Sequence, residues 1–241
     1  MAPAFATEHA ARAALVGTAR ALAPAGLNTG RAGNLSLRWH RGGRAGLLLT
    51  PSAIDFAAMD EDDIAWLPFM PDPAIDDEDD ALGAPAECYG PRRPSSEWRL
   101  HHDLLRAQPG VGAVVHAHAP WASTLACLAR VQRDGIPAFH YMVAVAGGDS
   151  IPCAPYAPFG SARLSAATLA MLRDRRACLL ANHGMVAVGA TLAACFDLAL
   201  EVEWLCRVYG QVLQCGDPVL LDAGEVKDAL GRFAGYRPDP P

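Results

Sequence analysis

The chain has 241 residues, 51% of them hydrophobic and 19% charged, which describes a folded globular protein and excludes a disordered one. A net charge of −6 without a Lys/Arg cluster argues against nucleic acid or an anionic membrane as partner. The length suits one domain spanning residues 1–241, large enough to bury roughly 70–75% of its unfolded surface.

Ala4 to Leu22 is apolar but carries Glu8, His9, Arg12 and Arg20. That spacing of charges breaks a signal-peptide core and predicts an amphipathic helix ending near Gly26. No stretch reaches the roughly 18 uncharged apolar residues of a membrane span. Seven cysteines (88, 127, 153, 178, 195, 206 and 215) are scattered and form no Cys-x-x-Cys, so they read as reduced thiols of a cytoplasmic protein.

Asn34–Trp39 and Gly46–Leu49 read as short strands around an Arg41-Gly42-Gly43 turn. After Thr50-Pro51-Ser52 a short helix is expected to run toward Ile64. Residues 68–94, rich in Pro, Asp and Gly, read as a long acidic surface loop; its carboxylates lack the spacing of a calcium loop. Ser95-Ser96-Glu97 opens the next helix, with Ser as cap, Glu97 on the first turn, and Trp98, Leu100, Leu104 and Leu105 as its apolar stripe.

Val111–His118 reads as a strand, and Pro120 starts a helix through Ala129. Phe139–Ala146 looks strand-like. Ser161 to Leu172 is helical, Ala177–Ala181 and Met185–Val188 are strands, and Thr191 caps a long helix that Gly216 ends. A last helix near Gly224–Phe233 precedes a Pro-rich tail. Strands and helices mixed without strict alternation predict a sheet covered by helices in one α/β domain.

Two histidines, His116 and His118, sit one residue apart in a predicted strand. Residues i and i+2 face the same way with Cα atoms roughly 6.6 Å apart, so both imidazoles can address one ion while Val115 and Ala117 face the opposite side. His183 ends a second apolar run and precedes Gly184, where a ligand can project from a strand end. Three imidazoles with an open or carboxylate-filled fourth position form the pattern of a catalytic zinc, although Mn²⁺, Co²⁺ and Fe²⁺ suit the same donors. Glu97 is the candidate carboxylate; a favourable interaction with the helix dipole accounts for it equally well at this point. His101 and His102, on the same predicted helix, read as packing or supporting groups.

At these residues the chain resembles the class II aldolase/adducin superfamily, and within it the aldolases of L-fuculose 1-phosphate. The matching text is Gly33-Asn34-Leu35-Ser36-Leu37-Arg38, Thr50-Pro51-Ser52, Pro94-Ser95-Ser96-Glu97-Trp98-Arg99, Val114-Val115-His116-Ala117-His118, His140-Tyr141-Met142, Ala146 through Tyr156, and Asn182-His183-Gly184. The motifs keep their order and span nearly the whole chain, apart from the acidic loop.

The resemblance implies a single three-layer α/β/α domain with a largely antiparallel central sheet, assembled as a homotetramer with active sites between subunits. It makes His116, His118 and His183 zinc ligands, and makes Glu97 a fourth ligand and then an acid/base group. Tyr141, from a neighbouring subunit, would handle the proton on the aldehyde fragment. Gly33, Asn34, Ser52, Ala53, Ser95 and Ser96 would bind the substrate phosphate, aided by a helix N-terminus.

The implied reaction is reversible cleavage of a ketose 1-phosphate to dihydroxyacetone phosphate and an aldehyde. Pentulose-phosphate 4-epimerisation, or decarboxylation or dehydration of a phosphorylated acid or sugar, would use the same donors. An adducin-like assembly role would be expected to have lost them. Two positions depart from the family: Ala53 replaces a glycine, and Arg31 stands where a small hydroxyl residue is common, able to pair with phosphate or carboxylate. Phe233 and Tyr236 match a C-terminal segment that reaches the active site in relatives.

Overall fold

The computed structural model describes residues 5–70 and 83–235. Ala4, the centre of the predicted acidic loop (71–82) and Tyr236 lie outside them.

Helix α1 (Glu8–Leu22) is capped by Thr7, whose side chain accepts from the Ala10 amide, a contact worth about 1 kcal/mol. Its buried residues Ala11, Leu15, Val16, Ala19 and Leu22 form one face, the stripe expected of a helix laid on a sheet. Strands β1 (Asn34–Arg41), β2 (Arg44–Leu49) and β3 (Ala65–Pro68) follow, then helix α2 (Trp98–Ala107) and strand β4 (Ala113–Ala117). Next come α3 (Pro120–Ala126), α4 (Ala129–Asp134), and the two-residue strands β5 (Ile136–Pro137), β6 (Ser150–Ile151) and β7 (Cys153–Ala154). Helix α5 (Ala162–Met171), strands β8 (Ala177–Leu180) and β9 (Gly184–Gly189), and helices α6 (Leu192–Cys215) and α7 (Ala223–Gly235) complete the described chain.

Seven strands form one sheet in the order β3-β2-β1-β4-β9-β8-β7. Every pairing is antiparallel except β7 with β8. The pleat sends alternate residues to two separate cores. Leu35, Leu37, Val115, Ala117, Met185 and Ala187 join the core under α1, α3 and α6. Val114, Cys178, Leu180, Val186 and Val188 join the core under α2 and α5. The result is the expected three-layer α/β/α arrangement around a mostly antiparallel sheet.

Several elements differ from the sequence expectation. Phe139–Ala146 is not a strand: His140 is extended, its side chain accepts from the Met142 amide, and a 3-10 helix runs Tyr141–Ala146 until Gly147 turns at φ 97°. Its buried residues Val143, Ala144 and Ala146 do not alternate, so the β-branched content misled where the spacing did not. The helix expected after Thr50-Pro51-Ser52 is only a 3-10 turn, Phe56–Ala58: Pro51 bridges Pro94, the Ser52 amide donates to Arg93 O, and Ala53 turns at a left-handed φ of 58° that a right-handed helix cannot contain. The helix expected through Ala129 breaks at Cys127-Leu128, where Leu128 is extended and starts α4. Ser95 is not the cap residue of α2: that helix begins at Trp98, with Glu97 at the cap position and no side-chain cap bond. Strand β3 and the short strands β5 to β7 were not predicted.

Candidate metal centre

His116 lies on β4, whose register partner on β1 is Asn34. Because Leu35 and Val115 face the α1/α3/α6 core, Asn34, Ser36 and His116 face the other way, toward α2. His118 follows one residue beyond the strand and keeps that parity. The β8–β9 hairpin supplies His183 from a tight turn: the His183 amide donates to Leu180 O, and Asn182 takes a left-handed φ of 56°. Gly184 is required for a different reason than φ. A Cβ there would stand 2.5 Å from Ala117 O, so only glycine lets β9 approach β4 this closely.

The four predicted donors converge. One ligand atom from each of Glu97, His116, His118 and His183 lies within 4.8 Å of all the others. His116 Nε2 is 3.1 Å from His118 Nε2 and 3.1 Å from Glu97 Oε2, and His183 Nε2 is 3.5 Å from Glu97 Oε1. The three imidazoles meet edge to face, with centroids 4.7–5.0 Å apart. His116 Nδ1 donates to Met185 O at 2.9 Å, which commits Nε2 to the shared centre.

Glu97 is 6% exposed, yet its Oε1 is buried without a hydrogen-bond partner. Such an atom costs free energy unless something positive sits against it. An orphaned carboxylate oxygen facing three imidazole nitrogens fits a divalent cation of the zinc type.

Behind the donors runs a chain of polar side chains. Ser36 Oγ meets His101 Nδ1 at 2.7 Å, His101 Nε2 bonds Asn34 Oδ1, and Asn34 Nδ2 donates to Glu97 Oε2 at 3.0 Å. Burial pushes the wholly buried His101 down to about 3, so its ring is neutral: Nδ1 accepts from Ser36 and Nε2–H donates to Asn34. That pattern fixes the Asn34 amide with its NH₂ toward Glu97. His101 is thus a supporting group, whereas His102 packs beneath Phe69 and accepts from the Met70 amide.

Burial alone would raise the Glu97 carboxyl, but the His116 charge and hydrogen bond, His183 and the Asn34 amide hold it well below the usual carboxylate range. Burial would lower His116, but Glu97 and the Met185 carbonyl outweigh it and raise this imidazole. His118 and His183 fall to about 4, through burial first and then the His116 charge. A carboxylate beside one imidazole of raised pKa and two of lowered pKa is a donor set able to exchange a proton for a cation.

A cavity of about 400 Å³ opens beside these donors. Gly33, Asn34, Ser52, Ala53, Ser95 and Ser96 all line it, together with Arg31, His118, His183, Tyr156 and Phe159. The three segments are tied together through Thr50: its amide donates to Leu35 O, its hydroxyl accepts from the Leu35 amide, and its carbonyl accepts from the Ser95 amide. The amides of Ser95, Glu97 and Trp98 already donate to Thr50 O, Ser95 Oγ and Ser95 O, and that of Ser52 donates to Arg93 O. The amides of Ser95, Glu97 and Trp98 are therefore committed within the protein, while Ser52, Ser96 and Arg31 line the cavity as side chains able to meet an anion. Ala53 has φ 58°; it adopts the left-handed conformation without being glycine.

Tyr141 is not brought to the donors within one chain. It lines a separate cavity of about 690 Å³ between the 3-10 helix and α7, is 56% exposed, and stacks on Phe233 with centroids 6.1 Å apart. That cavity is larger and mostly apolar, but it holds none of the four donors. Tyr156 and Phe159 are cavity residues that the sequence reading did not single out as site residues. Their signal was two aromatics in a Pro- and Gly-containing segment, which loops also show without any site.

The family model of the class II aldolase and adducin N-terminal domain matches residues 13–210. A 5-methylthioribulose-1-phosphate/5-deoxyribulose-1-phosphate aldolase of Rhodospirillum rubrum is 48% identical over 227 residues, covering 94% of this chain and 92% of its own. An L-fuculose phosphate aldolase of Escherichia coli is 39% identical over 212 residues, or 88% of each chain. The solved structure of an L-fuculose 1-phosphate aldolase superposes with a TM-score of 0.79 at 32% identity, over 92% of this chain and 95% of that one. No described helix is long and apolar enough to cross a membrane.

Proposed function

The chain belongs to the class II aldolase and adducin family and is an enzyme of its aldolase type; from that premise we propose that it cleaves a ketose 1-phosphate between C3 and C4, releasing dihydroxyacetone phosphate and an aldehyde. The observation that carries this reading is the convergence of Glu97, His116, His118 and His183 beside a cavity walled by serine hydroxyls and Arg31.

The four residues would hold one divalent cation, zinc by donor type, and such an ion when bound supplies a Lewis acid that stabilises the negative charge left at C2–C3 when the bond breaks. Ser52, Ser95, Ser96 and Arg31 orient the substrate by its phosphate, with Gly33 and Asn34 as neighbouring wall. Cleavage removes the C4 hydroxyl proton, turns C4–O into a carbonyl and leaves an electron pair at C3 that must be protonated. Glu97 suits that last transfer. Moved away from His116 and His183, it loses the neighbours that depress its pKa and keeps the burial that raises it. Tyr141 of an adjacent subunit would take the C4 hydroxyl proton; its exposure on the single chain supports a role across an interface.

The sequence reading favoured an L-fuculose 1-phosphate-like substrate. The 48% identity to the Rhodospirillum rubrum enzyme, against 39% for the fuculose type, supports instead a ribulose 1-phosphate carrying an apolar 5-substituent. Tyr156 and Phe159, which line the same cavity as His118 and His183, offer the apolar wall such a group would use. The whole chain is read as one aldolase domain, acting as a cytoplasmic homotetramer.

The test is a panel of 5-methylthioribulose, 5-deoxyribulose and L-fuculose 1-phosphates with zinc-loaded protein, products followed by NMR. Dihydroxyacetone phosphate with methylthioacetaldehyde or acetaldehyde is expected at the highest kcat/KM. Products with an intact carbon skeleton would identify an epimerase instead, and lactaldehyde at the highest kcat/KM would restore the fuculose reading.

A further inference from the structure

Helix α3 starts two residues after His118 and runs beside His183. At its N-terminus Pro120 has no amide to satisfy and Ala119, the cap residue, has no side-chain acceptor to offer, so the next amides need acceptors from elsewhere. Glu203, on α6, supplies both: its Oε1 accepts from the Trp121 amide and its Oε2 from the Ala122 amide, each at 2.8 Å. Two turns further along α6, Gly210 receives the Trp121 ring so closely that a Cβ there would lie 2.9 Å from it. Glu203 and Gly210 thus clamp the first turn of α3 from one face of α6.

The other side of α3 holds the second ligand segment. Ser123 Oγ donates to His183 O at 3.2 Å, and the Asn182 amide donates to Ala126 O at 3.1 Å. Gln132 reinforces the joint by donating to both Ala126 O and Asn182 Oδ1. One short helix therefore fixes the chain leaving His118 and the turn carrying His183.

We propose that Glu203 is a positioning residue for the metal centre: by pinning the α3 N-terminus it sets the spacing of His118 and His183. It touches neither the four donors nor the cavity and acts only through α3. This inference rests on the metal reading above.

The experiment titrates cobalt(II) into apo wild-type, Glu203→Ala, Glu203→Gln and Thr191→Ala proteins against a competing chelator, recording the visible ligand-field spectrum. Thr191, whose hydroxyl accepts from the Ala194 amide, caps α6 about three turns before Glu203 and is the control for a general loss of helix stability. Glu203→Ala is expected to weaken cobalt binding at least about tenfold, as loss of a group supporting metal ligands does, and to change the spectrum. Glu203→Gln, which keeps one good acceptor, falls between it and wild type and serves if the alanine variant does not fold. Thr191→Ala lowers the melting temperature but leaves cobalt affinity and spectrum as in wild type. Equal affinity and spectrum in wild type and both Glu203 variants, or an equal loss in Thr191→Ala, would overturn the proposal. Wild-type protein that binds no cobalt would instead sink the metal reading itself, and this inference with it.

Discussion

Asn34 Nδ2 donates to Glu97 Oε2 across 3.0 Å, joining an inner strand of the sheet to the cap residue of α2. Asn34 is also the register partner of His116, so one asparagine places the carboxylate against that imidazole. Replacing it with leucine removes the donor and leaves His101 Nε2–H without its acceptor. Asn34→Leu is expected to weaken zinc binding about 10–100-fold and to lower kcat with it. Chelator-competition titration and steady-state kinetics check both.

A cation site needs uncharged imidazoles, and His118 and His183 are the two whose pKa is lowered. His118→Ala is expected to lose its zinc to a competing chelator that leaves the wild-type ion in place. If the ion supplies roughly 5 kcal/mol of charge stabilisation, turnover falls by three to four orders of magnitude. Metal content by atomic emission and product release on the same sample test this.

Proton and cation compete for His116. Its pKa is raised, so below that value the cation must displace a proton, and affinity falls as pH falls, by about one proton per ion. His118 and His183 hold protons only near and below about 4, so the pH dependence steepens only there. Without metal the signs separate. The raised His116 stabilises the fold below its ordinary 6.5, and that contribution is lost as pH rises through its folded pKa; the lowered Glu97 stabilises above its ordinary 4.5, and that contribution is lost as pH falls. The lowered His101, His118 and His183 act the other way, each costing stability as pH falls below its ordinary 6.5. Metal-free protein should therefore melt highest near about 6.5 and lose stability on the acid side, while metal-loaded protein should gain stability above that pH. Melting curves from pH 4 to 9 with and without zinc check it.

Ala53 carries a left-handed φ of 58° without being glycine. That conformation costs an alanine about 1–2 kcal/mol, against about 0.4–1 kcal/mol for the extra freedom of glycine in the unfolded chain. Ala53→Gly should raise the melting temperature by about 2–4 °C for a net gain near 1 kcal/mol. An unchanged or lower melting temperature would show that the position is not strained.

Gly184→Ala should do the reverse. Its Cβ would meet Ala117 O at 2.5 Å and His118 Cδ2 at 3.3 Å, so β9 must move off β4 beside His118 and His183. A loss of roughly 1–3 kcal/mol and weaker zinc binding are expected, read by denaturant unfolding and metal titration.

The grouping of the three imidazoles was legible in the sequence because its constraints are local: His116 and His118 share a strand face by parity, and His183 sits at a strand end before a glycine that close packing requires. Glu97 was ambiguous, since an acidic helix start satisfies the dipole as readily as a cation; only its orphaned Oε1 and the Asn34 contact separate the two. The 3-10 helix at Tyr141–Ala146 was hidden because Val-rich text imitates a strand, and its determinant is a side-chain cap from His140. Strands of two residues such as β7 carry no period to detect. The grip of Glu203 on α3 links positions 81 and 82 residues apart, a relationship no local pattern encodes. Ala4, residues 71–82 and Tyr236 lie outside the described residues, so the central loop and the tail contact stay as sequence expectations.

The central claim is a single cation held by three imidazoles and one carboxylate. X-ray absorption fine structure of protein loaded with one equivalent of zinc tests it most directly. The account predicts three nitrogen scatterers at about 2.0–2.1 Å with the outer-shell pattern of imidazole, plus oxygen at about 2.0–2.2 Å, and loss of one imidazole in His118→Ala. A shell containing sulfur at about 2.3 Å, or an unchanged imidazole count in that variant, would contradict it.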